Sequence, residues 1–118
     1  MRRINFPIRV LIVDDSDFMR NTLSTMLMKF PDVQVVGTAK NGMDAIEQIK
    51  RSSPDVMTLD VDMPGMNGLD VLDYVMEHHP LPIIMISALT NEGAWVTLQA
   101  LQRGAVDFIP KDGGHNHF

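Results

Sequence analysis

Three aspartates stand where apolar stretches of the sequence end. Asp14 and Asp15 follow the apolar run at residues 8–13, and Asp60 follows the run at residues 56–59. Because parallel strands present their carboxyl ends at one edge of a sheet, we expect the three carboxylates to converge there. Clustered carboxylates repel one another in a low-dielectric site. A bound Mg²⁺ would relieve that repulsion, since hard oxygen atoms are its preferred ligands.

Two further residues turn this acidic cluster into a candidate phosphoryl site. Ser87 stands at the end of the fourth predicted strand, and Lys111 follows the fifth. A carboxylate can attack phosphorus and form an acyl phosphate, for which Asp60 would be the nucleophile. Because the transferring group spreads negative charge over its oxygens, the protein mainly positions and neutralises it. Lys111 would supply positive charge and Ser87 a hydrogen bond, while Asp14 and Asp15 would hold Mg²⁺.

Composition narrows the class of protein. A chain of 118 residues with 45% hydrophobic and 21% charged residues is typical of one soluble globular domain. The net charge of −5 and the lack of a basic stripe argue against nucleic acid as a partner. The chain has no cysteine, no apolar run of about 18 residues and no cleavable signal pattern. We therefore expect a cytoplasmic protein that does not contact membranes.

The elements that must position these residues alternate between strand and helix. Strands are predicted at residues 9–13, 33–38, 56–59, 83–86 and 106–109, with helices between them. Ser16 is the predicted N-cap of the first helix, whose apolar face would reach Phe30. The fourth helix is predicted at residues 92–103, with Leu98 and Leu101 facing the core. Strands that alternate with helices of this length indicate a parallel sheet covered on both faces.

A fifth helix is missing from this pattern, because only seven residues follow Lys111. One side of the sheet beside the first helix would then be partly bare. We expect that the chain is cut from a longer protein. The alternatives are dimerisation over the bare face and a family member that has lost the helix.

Four stretches of the chain resemble the receiver domain of bacterial response regulators, namely residues 10–16, 59–68, 84–88 and 104–111. Residues 58–64, 82–90 and 97–111 are similar, more narrowly, to the receiver part of CheB-type chemotaxis methylesterases. The resemblance implies a flavodoxin-like, three-layer α/β fold with strand order 2-1-3-4-5. Residues 1–8 would form an N-terminal arm, 9–111 the receiver domain, and 112–118 a tail or the start of a linker.

The resemblance also implies a metal-dependent phosphorylation. Asp60 would be the phosphorylated residue. Mg²⁺ would be bound by Asp14, Asp15 and Asp60 together with the backbone carbonyl of Asp62. Ser87 and Lys111 would contact the phosphoryl group.

A switch and two partners follow from the same resemblance. Ser87 and Phe108 would be the switch residues, and because phenylalanine has no hydroxyl group, Phe108 would act by packing alone. The phosphoryl donor would be a CheA-like histidine kinase. The switch would control a C-terminal output domain, a methylesterase in CheB-type proteins, that lies outside this chain.

Two other functions are compatible with parts of the pattern. Asp60-Val61-Asp62 satisfies the bare Asp-x-Asp motif of haloacid-dehalogenase-type phosphatases. A receiver that acts as a scaffold without phosphorylation is the second alternative. A calcium loop is excluded, since Pro64 and Val71 occupy positions that require oxygen ligands. His115 and His117 are expected to belong to a disordered tail rather than to a metal site.

Overall fold

The computed structural model describes residues 6–63, 65–88 and 90–111. Five strands and four helices alternate along these residues. The strands are β1 (Ile8–Val13), β2 (Val33–Ala39), β3 (Val56–Asp60), β4 (Ile83–Ala88) and β5 (Asp107–Lys111). The helices are α1 (Asp17–Leu27), α2 (Gly42–Ser52), α3 (Gly68–His78) and α4 (Asn91–Gln102). The predicted tail, residues 112–118, lies outside the described residues, so the missing fifth helix stays a prediction.

All five strands are parallel and lie in the order β2-β1-β3-β4-β5, which confirms the predicted flavodoxin-like fold. Strand order reverses between β1 and β3, so the connections that follow these two strands diverge to opposite sides. This divergence leaves a crevice at the carboxyl ends of β1 and β3. Open parallel sheets bind their ligands in such a crevice.

The sheet separates two apolar cores, and the alternation of side chains along β1 shows both. Leu11 and Val13 belong to the larger core, which α2, α3 and α4 cover. Val10 and Ile12 point to the other face, where they pack with Leu23 of α1. Because both faces of the central strands are buried, these strands are almost continuously apolar in sequence.

A polar side chain caps the first turn of each of these four helices. Ser16 accepts a hydrogen bond from the amide of Met19, as predicted for an N-cap. The three other N-caps act in the same way, namely Asn41, Asn67 and Thr90. Such a cap satisfies one of the amides that an α-helix leaves without a partner at its start.

Two predictions about helix faces are wrong. Helix α1 ends at Leu27, and the chain then turns into β2, so Phe30 is 57% exposed instead of lying on the apolar face. In α4 the buried residues are Gly93, Thr97 and Ala100, whereas Leu98 and Leu101 are exposed. The small residues face the sheet because α4 approaches β4 closely. A side chain at Gly93 would place its Cβ 2.2 Å from the carbonyl oxygen of Ala88.

Within the described ranges, no helix combines the length and the hydropathy that a membrane-spanning segment requires.

Candidate functional site

The three aspartates predicted from the sequence meet at the carboxyl edge of the sheet. Asp60 is the last residue of β3 and Asp14 directly follows β1, and both are buried. Asp15, next along the chain, is exposed. Carboxylate oxygens of the three residues lie within 4.8 Å of one another. The convergence follows from the pairing of β1 with β3, which brings Val13 opposite Leu59.

Lys111 completes this cluster from the edge strand. Its Nζ lies 2.9 Å from Oδ1 of Asp60 and 3.6 Å from Oδ2 of Asp14. Lys111 does not follow the fifth strand, as predicted, but is the last residue of β5 and pairs with Ala88 of β4. This pairing extends the strand and carries the ammonium group toward the aspartates.

Backbone groups orient the two buried carboxylates. Oδ1 of Asp14 accepts a hydrogen bond from the amide of Ser16 at 2.9 Å, and Oδ1 of Asp60 accepts one from the amide of Asp62 at 3.3 Å. Within the described part of the chain, the Oδ2 atoms of Asp14 and Asp60 are buried without a hydrogen bond. The structure thus places Asp62 beside the site through its amide, while the role of its carbonyl stays a prediction.

The charges of the site do not balance. Burial raises the pKa of Asp60 to about 7, against the opposing hydrogen bond from Lys111 and with a further rise from the charge of Asp14. Burial by itself would lower the pKa of Lys111, but its hydrogen bond with Asp60 and the charges of Asp60 and Asp14 raise it overall. One ammonium group therefore faces three carboxyl groups, and the site favours additional positive charge.

The donor set fits a small divalent cation. Three carboxylates offer hard oxygen ligands. Among the described residues, Oδ2 of Asp60 is buried without a hydrogen-bond donor, and Oδ2 of Asp14 has only the ammonium group of Lys111, at 3.6 Å. An unpaired buried polar atom is costly, so a cation would remove that cost as well as the repulsion between the carboxylates. The residues present therefore fit Mg²⁺.

Ser87 lies at the same edge, but its hydroxyl group is hydrogen-bonded away from the carboxylates. Its Oγ donates to the carbonyl oxygen of Gly93 in α4 at 3.1 Å. Ser87 is buried near the end of β4, one position beyond Ile86, which pairs with Asp60. Contact of Ser87 with a phosphoryl group would require its hydroxyl group to turn, so this role stays a prediction.

Phe108 lies on β5 beside α4, where a groove of about 460 Å³ separates the two elements. The groove is lined by Leu98 and Leu101 from the helix and by Phe108 and Pro110 from the strand. Phe108 is 42% exposed, and its role as a switch residue stays a prediction.

Three residues near the site are not among those predicted from the sequence, namely Arg20, Gly93 and Thr97. Arg20 donates from Nη1 to the carbonyl oxygen of Asp14 at 2.6 Å and also contacts Asp17. The carbonyl oxygen of Gly93 accepts a hydrogen bond from the hydroxyl group of Ser87 and another from the hydroxyl group of Thr97. The sequence signal for Arg20 is its place on the first helix, just after the acidic pair. Gly93 and Thr97 are recognised only when it is known which face of α4 packs against the sheet.

The geometry agrees with comparisons to known proteins. The response regulator receiver domain family matches residues 10–118. A protein-glutamate methylesterase/protein-glutamine glutaminase of Pyrococcus abyssi is 56% identical over 104 residues, which are 88% of this chain and 28% of the relative. The chain therefore spans less than a third of the length of such curated relatives.

Two solved structures show the same fold. The response regulator domain of Thermotoga maritima CheB is 50% identical, with a TM-score of 0.84 over 91% of this chain and 80% of that one. A chain in the CheX–CheY–BeF3–Mg complex of Borrelia burgdorferi is 36% identical, with a TM-score of 0.79 over 91% of this chain and 80% of that one.

The chain belongs to the response regulator receiver domain family, which the match to nearly its whole length shows. Within that family it is a receiver domain of the CheB type, because the CheB domain of Thermotoga maritima and the methylesterase of Pyrococcus abyssi share half or more of its matched residues. These comparisons do not favour a haloacid-dehalogenase-type phosphatase or a receiver that is never phosphorylated.

Proposed function

We propose that Asp60 accepts a phosphoryl group from a phosphohistidine of a CheA-like histidine kinase, with Mg²⁺ bound at the acidic cluster. The observation that carries the proposal is the buried Asp60 carboxylate, with Lys111 at 2.9 Å and two other carboxylates close by. A structural ion pair would need only one of these acids.

The proposed step is a transfer between two nucleophiles. An oxygen of the Asp60 carboxylate forms a bond to phosphorus, and the bond between phosphorus and the imidazole nitrogen of the donor breaks. The electron pair of that bond returns to the imidazole ring, which takes a proton from solvent. The product is an acyl phosphate on Asp60 and a free histidine on the kinase.

Each residue of the site has a distinct part in this step. Lys111 holds Asp60 in position and offers positive charge to the phosphoryl oxygens. Asp14 and Asp15, with Asp60 and the carbonyl of Asp62, would hold Mg²⁺. When bound, the metal ion supplies the positive charge that keeps Asp60 ionised and neutralises the transferring group.

The output is proposed to lie outside this chain. Curated relatives such as that of Pyrococcus abyssi are protein-glutamate methylesterases, and the chain matches less than a third of their length. We infer that phosphorylation moves Ser87 and Phe108 and so changes the face formed by α4 and β5, which a C-terminal output domain would recognise. The cytoplasmic location stays a prediction.

The test is to incubate the chain with acetyl phosphate and Mg²⁺ and to record its intact mass. We expect the mass to rise by one phosphoryl group, and we expect no rise with EDTA or in Asp60→Asn. Asp32→Asn is the matched control, since Asp32 is an exposed aspartate outside the cluster. Equal uptake by Asp60→Asn and the natural sequence would refute the assignment of Asp60.

The phosphatase alternative has its own measurement. A chain of the haloacid-dehalogenase type would release coloured product from a generic aryl phosphate, with many turnovers per molecule. We expect no multiple turnover. Sustained hydrolysis that disappears in Asp60→Asn would replace the signalling function by an enzymatic one.

A further inference from the structure

The carbonyl oxygen of Gly93 receives more hydrogen-bond donors than it has lone pairs. Ser87 Oγ donates to it at 3.1 Å and Thr97 Oγ1 at 2.8 Å. Since Gly93 and Thr97 both lie within α4, the helix also directs the amide of Thr97 to the same oxygen. A carbonyl oxygen has two lone pairs, so three donors compete for two positions.

The three donors differ in how easily each can give up its hydrogen bond to the carbonyl oxygen of Gly93. The amide of Thr97 is fixed by the helix, and the hydroxyl group of Thr97 makes the shorter of the two hydroxyl contacts. Ser87 belongs to β4 rather than to α4, and its hydroxyl group has the longer contact. Ser87 is therefore the donor that can leave without exposing an unpaired lone pair on the buried Gly93.

We propose that Thr97 is a positioning residue for the phosphoryl site and acts through Ser87. With the hydroxyl group of Thr97 in place, Ser87 leaves Gly93 at little cost and becomes available to a phosphoryl oxygen on Asp60. Without it, the departure of Ser87 leaves one lone pair of a buried carbonyl unsatisfied, and the resting arrangement is favoured. This inference rests on the proposed function, since it concerns the same site.

The close approach of α4 to β4 makes this arrangement specific. A Cβ at residue 93 would lie 2.2 Å from the carbonyl oxygen of Ala88 and 2.9 Å from Oγ of Ser87. Only glycine lets the first turn of α4 approach the end of β4 so closely. The amide of Gly93 donates a hydrogen bond to Oγ1 of the N-cap Thr90 at 2.8 Å. The amide is therefore fixed, and only the hydrogen bonds to the carbonyl oxygen of Gly93 can change.

The test uses the 118-residue chain and measures the affinity for beryllium fluoride, a phosphoryl mimic, in the presence of Mg²⁺ by calorimetry. Thr97→Val removes the hydroxyl group and keeps the shape of the side chain. We expect it to weaken binding about three- to tenfold, the worth of one ordinary hydrogen bond. Thr97→Ser restores the hydroxyl group and should bind like the natural sequence.

A double-mutant cycle separates positioning from a general structural effect. In the Ser87→Ala background the competition no longer exists, so we expect Thr97→Val to have no further effect on affinity. An equal loss with and without Ser87 would overturn the inference, as would unchanged affinity in Thr97→Val alone. If the natural sequence itself fails to bind Mg²⁺ and beryllium fluoride, the proposed function fails instead.

Discussion

The surroundings of Asp60 destabilise the ionised form of its carboxyl group. Burial raises its pKa to about 7, since Lys111 is shared with Asp14 and only partly compensates for the lost hydration. A group that binds a proton more tightly in the folded chain than in the unfolded chain links stability to pH. The state of this one carboxyl group is therefore measurable through the stability of the whole domain.

We predict that the free energy of unfolding, without metal, falls as the pH rises from about 4 to about 7. In this window the folded chain keeps a proton on Asp60 that the unfolded chain releases, so higher pH favours unfolding. The slope approaches about 1.4 kcal/mol per pH unit for one proton. Urea titrations across this range measure it.

Asp60→Asn is the control for this pH dependence, because asparagine is neutral at every pH. Its unfolding free energy should lack the Asp60 contribution to the slope. Saturating Mg²⁺ should also reduce that contribution in the natural sequence, since the cation stabilises the carboxylate. An identical slope in Asp60→Asn would show that another group is responsible.

Arg20 could affect Mg²⁺ binding in two opposite ways, through its positive charge or through its contact with Asp14. Its side chain is only 15% exposed, and its guanidinium group donates to the backbone carbonyl of Asp14 rather than to the carboxylates of the cluster. Removal of a positive charge near the site would strengthen Mg²⁺ binding, whereas loss of the contact to Asp14 would weaken it. We predict that Arg20→Ala weakens Mg²⁺ binding by about tenfold, as for other groups that orient metal ligands.

Metal titration by calorimetry measures this effect, and the exposed Arg51 on α2 supplies the matched control. Arg51→Ala removes the same charge without touching Asp14 and should not weaken binding. Tighter binding in Arg20→Ala would show that its charge matters more than its contact.

Helix α4 is held to the sheet by small residues instead of large ones. Gly93, Thr97 and Ala100 are spaced along one face, and their small size allows the helix to lie close to β4. The two leucines of α4 are consequently displaced to the flank, where they line the groove beside β5. The same close packing gives Ser87 a partner in the helix, so the register of α4 matters for function as well as for stability.

A matched pair of leucines tests this register. Leu72 of α3 is fully buried, whereas Leu98 of α4 is 57% exposed. We predict that Leu72→Ala lowers the free energy of unfolding by about 2–5 kcal/mol, while Leu98→Ala changes it by less than about 1 kcal/mol. Chemical denaturation measures both. Similar losses for the two variants would mean that Leu98 faces the core.

At the scale of the whole molecule, the site joins parts of the chain that are far apart in sequence. Asp14 and Asp15 follow β1, Asp60 ends β3, and Lys111 ends β5. These residues meet only when the complete sheet has formed, so a ligand that binds them binds the folded state alone. Such a ligand stabilises the fold by mass action.

We predict that Mg²⁺ raises the free energy of unfolding, by about 2.7 kcal/mol at a hundred times its dissociation constant. Asp15→Asn should abolish most of this gain while leaving the stability of the metal-free chain nearly unchanged, because Asp15 is exposed. Thermal unfolding with Mg²⁺ or EDTA measures both effects. A gain in stability that persists in Asp15→Asn would place the cation elsewhere.

Local patterns in the sequence are enough to predict the order of the elements, the parallel sheet and the acidic cluster. Apolar runs that end in Asp14, Asp15 and Asp60 are local patterns, and the rule that parallel strands share their carboxyl edge converts them into a site. The N-cap Ser16 is also predictable from the sequence, since a cap joins residues only three positions apart. The family resemblance added the strand order, which the structure confirms.

The buried face of α4 and the hydrogen-bond partner of the Ser87 hydroxyl group do not follow from local patterns and are known from the packed fold. Apolar periodicity predicted Leu98 and Leu101 in the core, but the distance between α4 and β4 admits only small side chains. The raised pKa of Asp60 likewise depends on burial and on neighbours from distant strands. Local sequence records the chemical preference of each residue, whereas the distance between two packed elements is set by all the side chains between them.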